Sequence, residues 1–336
     1  MSDSPPVLSV RGLSTHFATA RGVVRAVEDV SFEVGAGETL ALVGESGSGK
    51  SVTGLSILRL LPPSGCVVGG QILFRGAGGE AIDLATAPER SLRGVRGAGV
   101  SMVFQEPMSA LNPAFTIGAQ IAETIRLHQK TSKPEALARA EALLAKVGIS
   151  EPARRLGDYP HQLSGGMRQR AMIAMAVACQ PALLIADEPT TALDVTTQAQ
   201  VLRMLRALQA ESGMGLLFVT HNLALVPMIA DRVIVMYAGE IVETGAAGAL
   251  LAAPKHPYTR ALLECLPARR LPRDPTDDRP LPTIEGSVPD LAHRPTGCAF
   301  ADRCRDAELD CRTLAPTLRP LGDDSRLSRC HFAERL

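Results

Sequence analysis

The sequence of 336 residues lacks several features that mark common classes of protein. It contains no tryptophan and only 3% of its residues are aromatic, so few side chains could stack on nucleic-acid bases. Lysine and arginine together number 35, as do aspartate and glutamate, and the formal net charge is therefore zero. Because neither stacking platforms nor an excess of positive charge is present, we expect no nucleic-acid partner.

Long hydrophobic runs are also missing. The longest apolar stretch, residues 171–186, is broken by Gln180 and Pro181, whereas a membrane-spanning helix needs about 20 consecutive apolar residues. The stretch Met1–Pro6 has no basic region followed by an apolar core, so we expect no secretory signal. These absences favour a cytoplasmic chain that is attached to a membrane only through partner proteins. With 46% hydrophobic residues, the chain can bury a large core and should divide into two domains.

The stretch Gly44–Ser51 fits the pattern G-x-x-x-x-G-K-S of a phosphate-binding loop at every fixed position. An apolar run, residues 39–43, precedes it and residues 51–61 have helical spacing, so the loop should join a strand to a helix. Its glycines let backbone N–H groups turn toward one centre, where the helix N-terminus adds attraction for phosphate. Lys50 would reach the β- and γ-phosphates and Ser51 would bind Mg²⁺; a glycine-rich turn without a ligand is the alternative. The candidate nucleotide-binding residues here are Gly44, Ser46, Gly47, Gly49, Lys50, Ser51 and Val52.

Several other stretches have the alternation or the apolar character of strands. Val7–Val10 and Val27–Val34 alternate, and Phe17 lies just beyond the first of them. Gln71–Phe74 and the apolar segment Gly99–Phe104 indicate two more strands. These stretches, on both sides of the phosphate-binding loop, should therefore form strands of a sheet.

The middle third of the chain has a helical pattern instead. Residues 116–147 show helical spacing, and Gly148 is a suitable helix C-terminus. We interpret this region as a helical insertion between strands of the sheet.

A second candidate anion site begins at Leu163-Ser164-Gly165-Gly166, just before a helix-length run at residues 170–178. Ser164, Gly165 and Gly166 would form a helix N-terminus whose N–H groups attract anions. Alone, this pattern would usually be a helix cap. Because the pattern lies shortly before a strand that ends in two carboxylates, we favour an anion site over an ordinary helix cap.

That strand is predicted at residues 182–186, and Asp187 and Glu188 follow it directly. Another strand, residues 215–220, is followed by His221. In open parallel α/β sheets, catalytic groups lie at the carboxyl ends of strands. Asp187 suits a role toward Mg²⁺, Glu188 could accept the proton of an attacking water, and His221 could contact a γ-phosphate.

Together these motifs resemble the ATP-binding subunit of an ABC transporter. The resemblance covers roughly residues 5–250, and the Ser-Gly-Gly signature separates this family from other P-loop NTPases. It implies an α/β P-loop NTPase fold in residues 1–255, with a helical subdomain at about 106–180, and a small Cys-rich C-terminal extension in residues 256–336. The matching segments are Gly44–Ser51, Gln105, Leu163–Gly166, Leu183–Glu188, Ala192–Asp194 and His221.

The resemblance also implies residue roles. Phe17 would stack on adenine. Lys50, Ser51 and Gln105 would contact the phosphates and Mg²⁺, with Ser51 and Gln105 binding the ion. Because two such subunits close head to tail, Ser164, Gly165 and Gly166 would contact ATP held by the partner subunit, and a lone subunit should hydrolyse ATP poorly.

For catalysis, the resemblance makes Glu188 the general base, with Asp187 stabilising Mg²⁺ and His221 orienting water and γ-phosphate. The candidate catalytic residues are Glu188, His221 and Gln105.

Two further stretches, Gln105–Pro113 and His256–Leu263, resemble the oligopeptide/dipeptide importer branch of the family, which also includes nickel and glutathione importers. The branch implies that the segment after Gln105 meets a permease; an ordinary surface loop is the alternative. It also implies two integral-membrane permeases, a solute-binding protein and a second ATPase subunit. The resemblance favours a homologue for that subunit, and a second copy of this chain is the alternative. A soluble ABC ATPase of translation or DNA repair would carry two cassettes or a long coiled coil, and a non-catalytic subunit would not need Lys50, Glu188 and His221.

The C-terminal segment holds four of the seven cysteines, at Cys298, Cys304, Cys311 and Cys330. Residues 266–282, rich in Pro, Arg and Asp, precede them and are interpreted as a linker. In a cytoplasmic chain, four thiols in a core-poor segment favour a metal centre over disulfides. Their spacing lacks the C-x₂-C pairs of common zinc ribbons. It resembles the tail of the importer branch, for which a [4Fe–4S] cluster is implied; zinc or unligated thiols remain alternatives.

Overall fold

The computed structural model describes residues 5–76, 79–191, 193–266, 282–322 and 324–336. The chain forms two compact units, each assembled from separate stretches of sequence. The first unit comprises residues 1–9, 33–39 and 72–219, and the second comprises residues 10–32, 40–71 and 220–336.

The described residues form twelve strands and twelve α-helices. The strands are β1 (Leu8–Thr19), β2 (Gly22–Val34), β3 (Thr39–Val43), β4 (Gly65–Phe74), β5 (Ile82–Asp83), β6 (Val100–Val103), β7 (Leu183–Asp187), β8 (Gly215–Thr220), β9 (Arg232–Tyr237), β10 (Glu240–Ala246), β11 (Arg319–Leu321) and β12 (Asp324–Ser328). The helices are α1 (Lys50–Ile57), α2 (Glu89–Val95), α3 (Pro107–Ala110), α4 (Ile117–His128), α5 (Lys133–Lys146), α6 (Pro152–Arg155), α7 (Gly165–Ala176), α8 (Val195–Ser212), α9 (Val226–Ile229), α10 (Ala247–Ala252), α11 (Pro257–Glu264) and α12 (Leu309–Thr313). No helix within the described residues is long and apolar enough to cross a membrane.

The first unit contains three neighbouring parallel strands in the order β8-β7-β6. Every residue of β6 and β7 is buried, as expected for parallel strands covered on both faces. The predicted strand at residues 182–186 is confirmed within one residue as β7, and the strand at residues 215–220 is confirmed as β8.

The helical region of the first unit is interrupted where a single pattern over residues 116–147 was predicted. Helix α4 begins after Thr116, whose hydroxyl accepts a hydrogen bond from the Ala119 N–H group. Helix α5 begins after Ser132, which caps Glu135 in the same way. The break follows from Ser132 and Pro134, since a serine cap and a proline in the first turn both start a helix. The predicted end at Gly148 is confirmed by its φ of 75°.

In the second unit, a sheet has the order β11-β12-β10-β9-β3. Strands β3 and β9 are parallel, whereas β9, β10, β12 and β11 pair antiparallel. The C-terminal segment thus adds two strands to this sheet, which the sequence analysis missed. Pro320 and the polar sequence of β12 hid them, because neither matches the pattern of a buried strand.

The N-terminal strands are longer than predicted. Strand β1 continues to Thr19 and contains Phe17, which was expected beyond the strand. Strand β2 begins at Gly22, five residues before the predicted start at Val27, so a two-residue turn joins β1 to β2. Much of the additional length of β1 and β2 is exposed. The polar residues in it break the alternation of apolar and polar residues by which strands are predicted. The predicted linker at residues 266–282 lies almost wholly outside the described residues.

Candidate functional site

The stretch Gly44–Ser51 connects β3 to α1 in the second unit, as predicted. Gly44, Gly47 and Gly49 have φ values of 155°, 80° and 99°, a region of backbone conformation that side chains disfavour. Gly49 is the N-cap of α1, so the helix N-terminus faces the loop. This is the local geometry that collects backbone N–H groups around a phosphate.

Two of these glycines also lie too close to neighbouring backbone for any side chain. A Cβ on Gly44 would lie 2.2 Å from the Met236 carbonyl oxygen, and one on Gly49 would lie 2.5 Å from that of Ala26. A Cβ on Gly47 would meet nothing within 4 Å. The loop is therefore held by its neighbours at both ends and open at its tip.

We expect Gly44→Ala to displace the loop and weaken nucleotide binding at least tenfold, because the Met236 carbonyl cannot yield without breaking β9. Gly37→Ala is the matched control, since Gly37 also has a positive φ, 68°, and nothing within 4 Å of a Cβ, but lies outside the loop, so only the conformational cost of about 1–2 kcal/mol applies. Titration with a fluorescent ATP analogue and thermal unfolding would compare the two. Equal affinities for the two variants would contradict the steric account.

Lys50 is buried at the start of α1, with only 4% of its surface exposed. Its Nζ donates hydrogen bonds to the carbonyl oxygens of Gly44 and Glu45 at 2.8 and 2.9 Å, and to Ser48 Oγ at 3.3 Å. The loop thus surrounds a fixed positive charge, while Ser46 and Gly47 at its tip are exposed. An anion that approaches the tip meets this charge together with the helix N-terminus.

Phe17 also belongs to the second unit, where its ring packs on the backbone of Gly65. A Cβ on Gly65 would lie 2.6 Å from Phe17 Cε1, so only glycine admits the ring there. The ring remains half-buried rather than fully covered. Ser51 and Val52, in the first turn of α1, are likewise half-buried.

The predicted carboxylates lie at the end of β7 in the first unit. Asp187 and Glu188 are 4% and 8% exposed, and the Glu188 N–H group donates to the Val219 carbonyl oxygen at 2.9 Å. Glu188 has a φ of 47°, uncommon for a residue with a side chain. Such backbone strain occurs often at functional sites, where the surrounding structure holds it.

The Glu188 carboxylate receives two hydrogen bonds on one oxygen. Gln105 Nε2 donates to Glu188 Oε2 at 3.1 Å, and Thr191 Oγ1 donates to the same oxygen at 2.8 Å. Gln105 and Glu188, predicted as partners in one site, are therefore in direct contact. The role of Thr191 was not predicted. The feature of the sequence that could have indicated it is its position three residues after Glu188, close enough for its hydroxyl to reach the carboxylate.

The signature residues form the N-terminus of α7, which starts at Gly165, earlier than the predicted residue 170. Ser164 is the N-cap, and its Oγ accepts from the Met167 N–H group at 3.3 Å. Ser164 and Gly165 are exposed, and a Cβ on Gly165 would meet nothing within 4 Å. Arg168 fixes the preceding turn by donating to the carbonyl oxygens of Pro160 and Leu163.

Two other predicted motifs lie at element ends. Asp194 caps α8 and accepts from Thr197 N and Thr197 Oγ1, and these hydrogen bonds lower the pKa of its carboxyl group. Ala192, in the same motif, lies outside the described residues. His221 follows β8 and is exposed. The predicted site residues are divided between the two units. The first unit contains Gln105, Asp187 and Glu188, and the second contains the phosphate-binding loop and His221.

The four C-terminal cysteines border one small apolar cavity in the second unit, together with Phe332. Burial raises the pKa of the Cys298 thiol to about 11 and raises the pKa of Cys304 and Cys330. Among the described residues, no three His, Cys, Asp or Glu side chains form a group that could hold a metal ion. The sequence therefore anticipated the gathering of these thiols, and the metal stays a prediction.

A glycine-rich strand-to-helix loop with a buried lysine, and a parallel sheet with carboxylates at a strand end, define a P-loop nucleotide-binding protein. Known proteins agree with this class. A family model described as "ABC transporter" matches residues 27–191, and one described as "Oligopeptide/dipeptide transporter, C-terminal region" matches residues 242–311.

Other known proteins are similar to this chain over nearly its whole length. A Brucella melitensis protein whose name describes a peptide import ATP-binding protein is 55% identical, over 93% of this chain and 93% of its own. The dipeptide transport ATP-binding protein DppD of Escherichia coli is 49% identical, over 97% of this chain and 96% of its own. The dimeric ATP-binding cassette MJ0796, bound to ADP and Pi, has a TM-score of 0.63 and 26% identity, covering 71% of this chain and 98% of that one. The chain belongs to the family of ABC transporter ATP-binding proteins, and it is an ABC-type ATPase.

Proposed function

We propose that this chain is the ATP-hydrolysing subunit of an importer for dipeptides and oligopeptides. The match of residues 242–311 to the oligopeptide/dipeptide transporter C-terminal region carries the assignment to peptides, and the names of the relatives support it. The chain works at the cytoplasmic face of the inner membrane, bound to two integral-membrane permeases. A homologous second ATPase subunit and a solute-binding protein complete the importer.

ATP binding begins at the phosphate-binding loop. Backbone N–H groups of residues 46–51 and the Lys50 ammonium hold the β- and γ-phosphates, and Phe17 stacks on the adenine. Ser51 and Gln105 would hold Mg²⁺, with Asp187 acting through water, and the ion would supply positive charge that neutralises the phosphates. The half-buried ring of Phe17 and the exposed tip of the loop leave both groups within reach of a nucleotide.

Hydrolysis then uses the groups around β7. Glu188 takes the proton of the attacking water, and Gln105 and Thr191 hold its carboxylate in place by hydrogen bonds. His221 orients the water and the γ-phosphate. Because phosphoryl transfer depends mainly on positioning and charge neutralisation, these fixed contacts favour turnover once ATP is bound.

Turnover also needs a second subunit. Ser164 and Gly165 are exposed at the N-terminus of α7, where N–H groups and the helix dipole attract an anion. We assign the γ-phosphate of ATP on the partner subunit to this terminus. The chain alone should therefore hydrolyse ATP slowly, and closure of the two subunits would move the attached permeases.

We also propose a [4Fe–4S] cluster at Cys298, Cys304, Cys311 and Cys330. All four thiols border one cavity, which suits thiolate ligands of a single centre. The spacing of the four cysteines lacks the C-x₂-C pairs of common zinc ribbons, which favours the cluster over zinc.

Metal analysis of anaerobically purified protein tests this cluster. We expect about four irons and four acid-labile sulfides per chain, with visible absorption that Cys304→Ser greatly reduces. Cys66→Ser, at an exposed cysteine outside the cavity, is the matched control and should keep the iron. One zinc without iron, or no metal, would contradict the cluster.

Purification from native membranes tests the transport role. We expect two integral-membrane permeases and a second ATPase to copurify with the tagged chain, and ATP hydrolysis by that complex to rise when a dipeptide-loaded binding protein is added. A chain that purifies without membrane proteins would contradict the proposal. Stimulation by nickel or glutathione in place of dipeptides would assign another solute of the same branch.

A further inference from the structure

One residue of the phosphate-binding loop, Glu45, is held at two points by the C-terminal extension. Its backbone N–H group donates to the Tyr258 hydroxyl at 2.8 Å. Its carboxylate receives both ends of the Arg303 guanidinium, with Nη1 to Oε2 at 2.6 Å and Nη2 to Oε1 at 3.0 Å. Paired contacts of this kind fix orientation as well as distance. All of these residues belong to the second unit.

Arg303 is itself fixed by its surroundings, with 5% of its side chain exposed. Besides Glu45, it donates from Nη1 to Tyr237 Oη at 3.3 Å, from Nε to the Glu285 carbonyl oxygen at 3.0 Å and from Nη2 to the Ile284 carbonyl oxygen at 3.3 Å. These bonds and the two to Glu45 match the five N–H donors of a guanidinium. All five N–H donors of Arg303 are therefore hydrogen-bonded in this position.

Three aromatic rings, tilted or edge-on to one another, pack beside the same contact. The centroids of Tyr237 and Tyr258 are 4.6 Å apart, and Phe300 lies 5.2 and 5.3 Å from them. The Arg303 guanidinium carbon lies 5.7 Å from the Tyr237 ring centroid and 5.9 Å from that of Phe300. Such packing restricts Arg303 and Tyr258 to one arrangement each.

Glu45 in turn determines where the lysine of the loop can lie. Its carbonyl oxygen accepts from Lys50 Nζ at 2.9 Å and from the Ser48 N–H group at 3.2 Å. A shift of Glu45 would therefore move an acceptor of the Lys50 ammonium. In addition, the Glu45 carboxylate would repel a triphosphate if Arg303 did not balance its charge.

We propose that Arg303 is a positioning residue for the phosphate-binding loop, which it holds ready for nucleotide through Glu45. The inference rests on the proposed ATP-binding role of that loop. A loop that is already ordered loses less conformational freedom when the ligand binds, so its affinity is higher. The C-terminal extension is consequently part of the nucleotide site rather than an appended module.

Nucleotide affinity tests this role directly. We would measure the dissociation constant for Mg-ADP with a fluorescent analogue on the full chain, as wild type, Arg303→Met, Arg303→Lys and Arg303→Met/Glu45→Gln. Arg303→Met should weaken binding about tenfold or more, because it leaves a carboxylate unbalanced in the loop. Arg303→Lys should lose several-fold, since an ammonium keeps the charge but not the paired contact. The double variant should recover part of the loss.

Arg305→Met is the matched control, an exposed arginine on the other side of Cys304 that should keep wild-type affinity. Iron content and the unfolding temperature without nucleotide are recorded for every variant. Affinity for Mg-ADP within twofold of wild type, with only the unfolding temperature lowered, would overturn the inference while leaving the proposed function intact. If Arg303→Met does not fold, Arg303→Lys decides in the same way. A wild type that does not bind Mg-ADP would overturn both.

Discussion

The Glu188→Gln variant should bind Mg-ATP as wild type does and hydrolyse it about 100- to 10,000-fold more slowly, the range typical for loss of a general base. Glutamine has the shape of glutamate and can still accept from Gln105 Nε2 and Thr191 Oγ1 through its amide oxygen. It cannot take the proton of the attacking water. The binding site therefore survives while the proton acceptor is lost.

The matched control for this variant is Thr191→Val, which removes one of the two hydrogen bonds to Glu188 Oε2 and leaves the carboxylate. We expect turnover to fall by no more than about tenfold, the value of one ordinary hydrogen bond. Steady-state phosphate release by the purified complex gives turnover, and equilibrium binding of a fluorescent ATP analogue gives affinity. Turnover by Glu188→Gln within twofold of wild type would remove Glu188 from the role of base.

The second large effect is expected at Lys50. Lys50→Met should weaken Mg-ATP binding by about 100-fold, since it removes a buried charge that faces the phosphates, a loss of about 3 kcal/mol. In the structure the ammonium is held by the carbonyl oxygens of Gly44 and Glu45 and by Ser48 Oγ. Methionine fills similar volume without donating to these acceptors or to phosphate.

Lys133→Met, at an exposed lysine at the start of α5, is the matched control and should keep wild-type affinity. Because the Lys50 change also removes a hydrogen-bond donor from the carbonyl oxygens of Gly44 and Glu45, the unfolding temperature without nucleotide is measured alongside. Retention of wild-type affinity by Lys50→Met would contradict the assignment of the loop as the phosphate site.

Motifs with fixed spacing were predictable because local sequence determines them. The glycines of the phosphate-binding loop need positive φ, and the apolar runs of β7 and β8 match buried parallel strands, so their positions followed from the sequence. The contact between Gln105 and Glu188 could be anticipated only from the family resemblance, since 82 residues separate them. Thr191, which binds the same carboxylate oxygen, was missed because a threonine three residues away has many ordinary roles.

Contacts between distant segments were not predictable. Strands β11 and β12 are short, and β10, the strand on which β12 pairs, lies far earlier in the chain. Arg303 is one arginine among many in sequence, and only the folded chain shows that it reaches Glu45 across 258 positions. Tyr258 lies in the stretch His256–Leu263, which resembles the importer branch. The structure gives it a physical role, as acceptor for the Glu45 N–H group.

ATP-driven uptake of a labelled dipeptide into proteoliposomes tests the central claim most directly. The liposomes hold the importer with the ATPase sites inside, ATP is enclosed with them, and the solute-binding protein is added outside. The account predicts uptake that requires ATP and falls to background with Glu188→Gln, while Thr191→Val retains a measurable rate. Dipeptide uptake that is equally fast without enclosed ATP, or unchanged by Glu188→Gln, would contradict it.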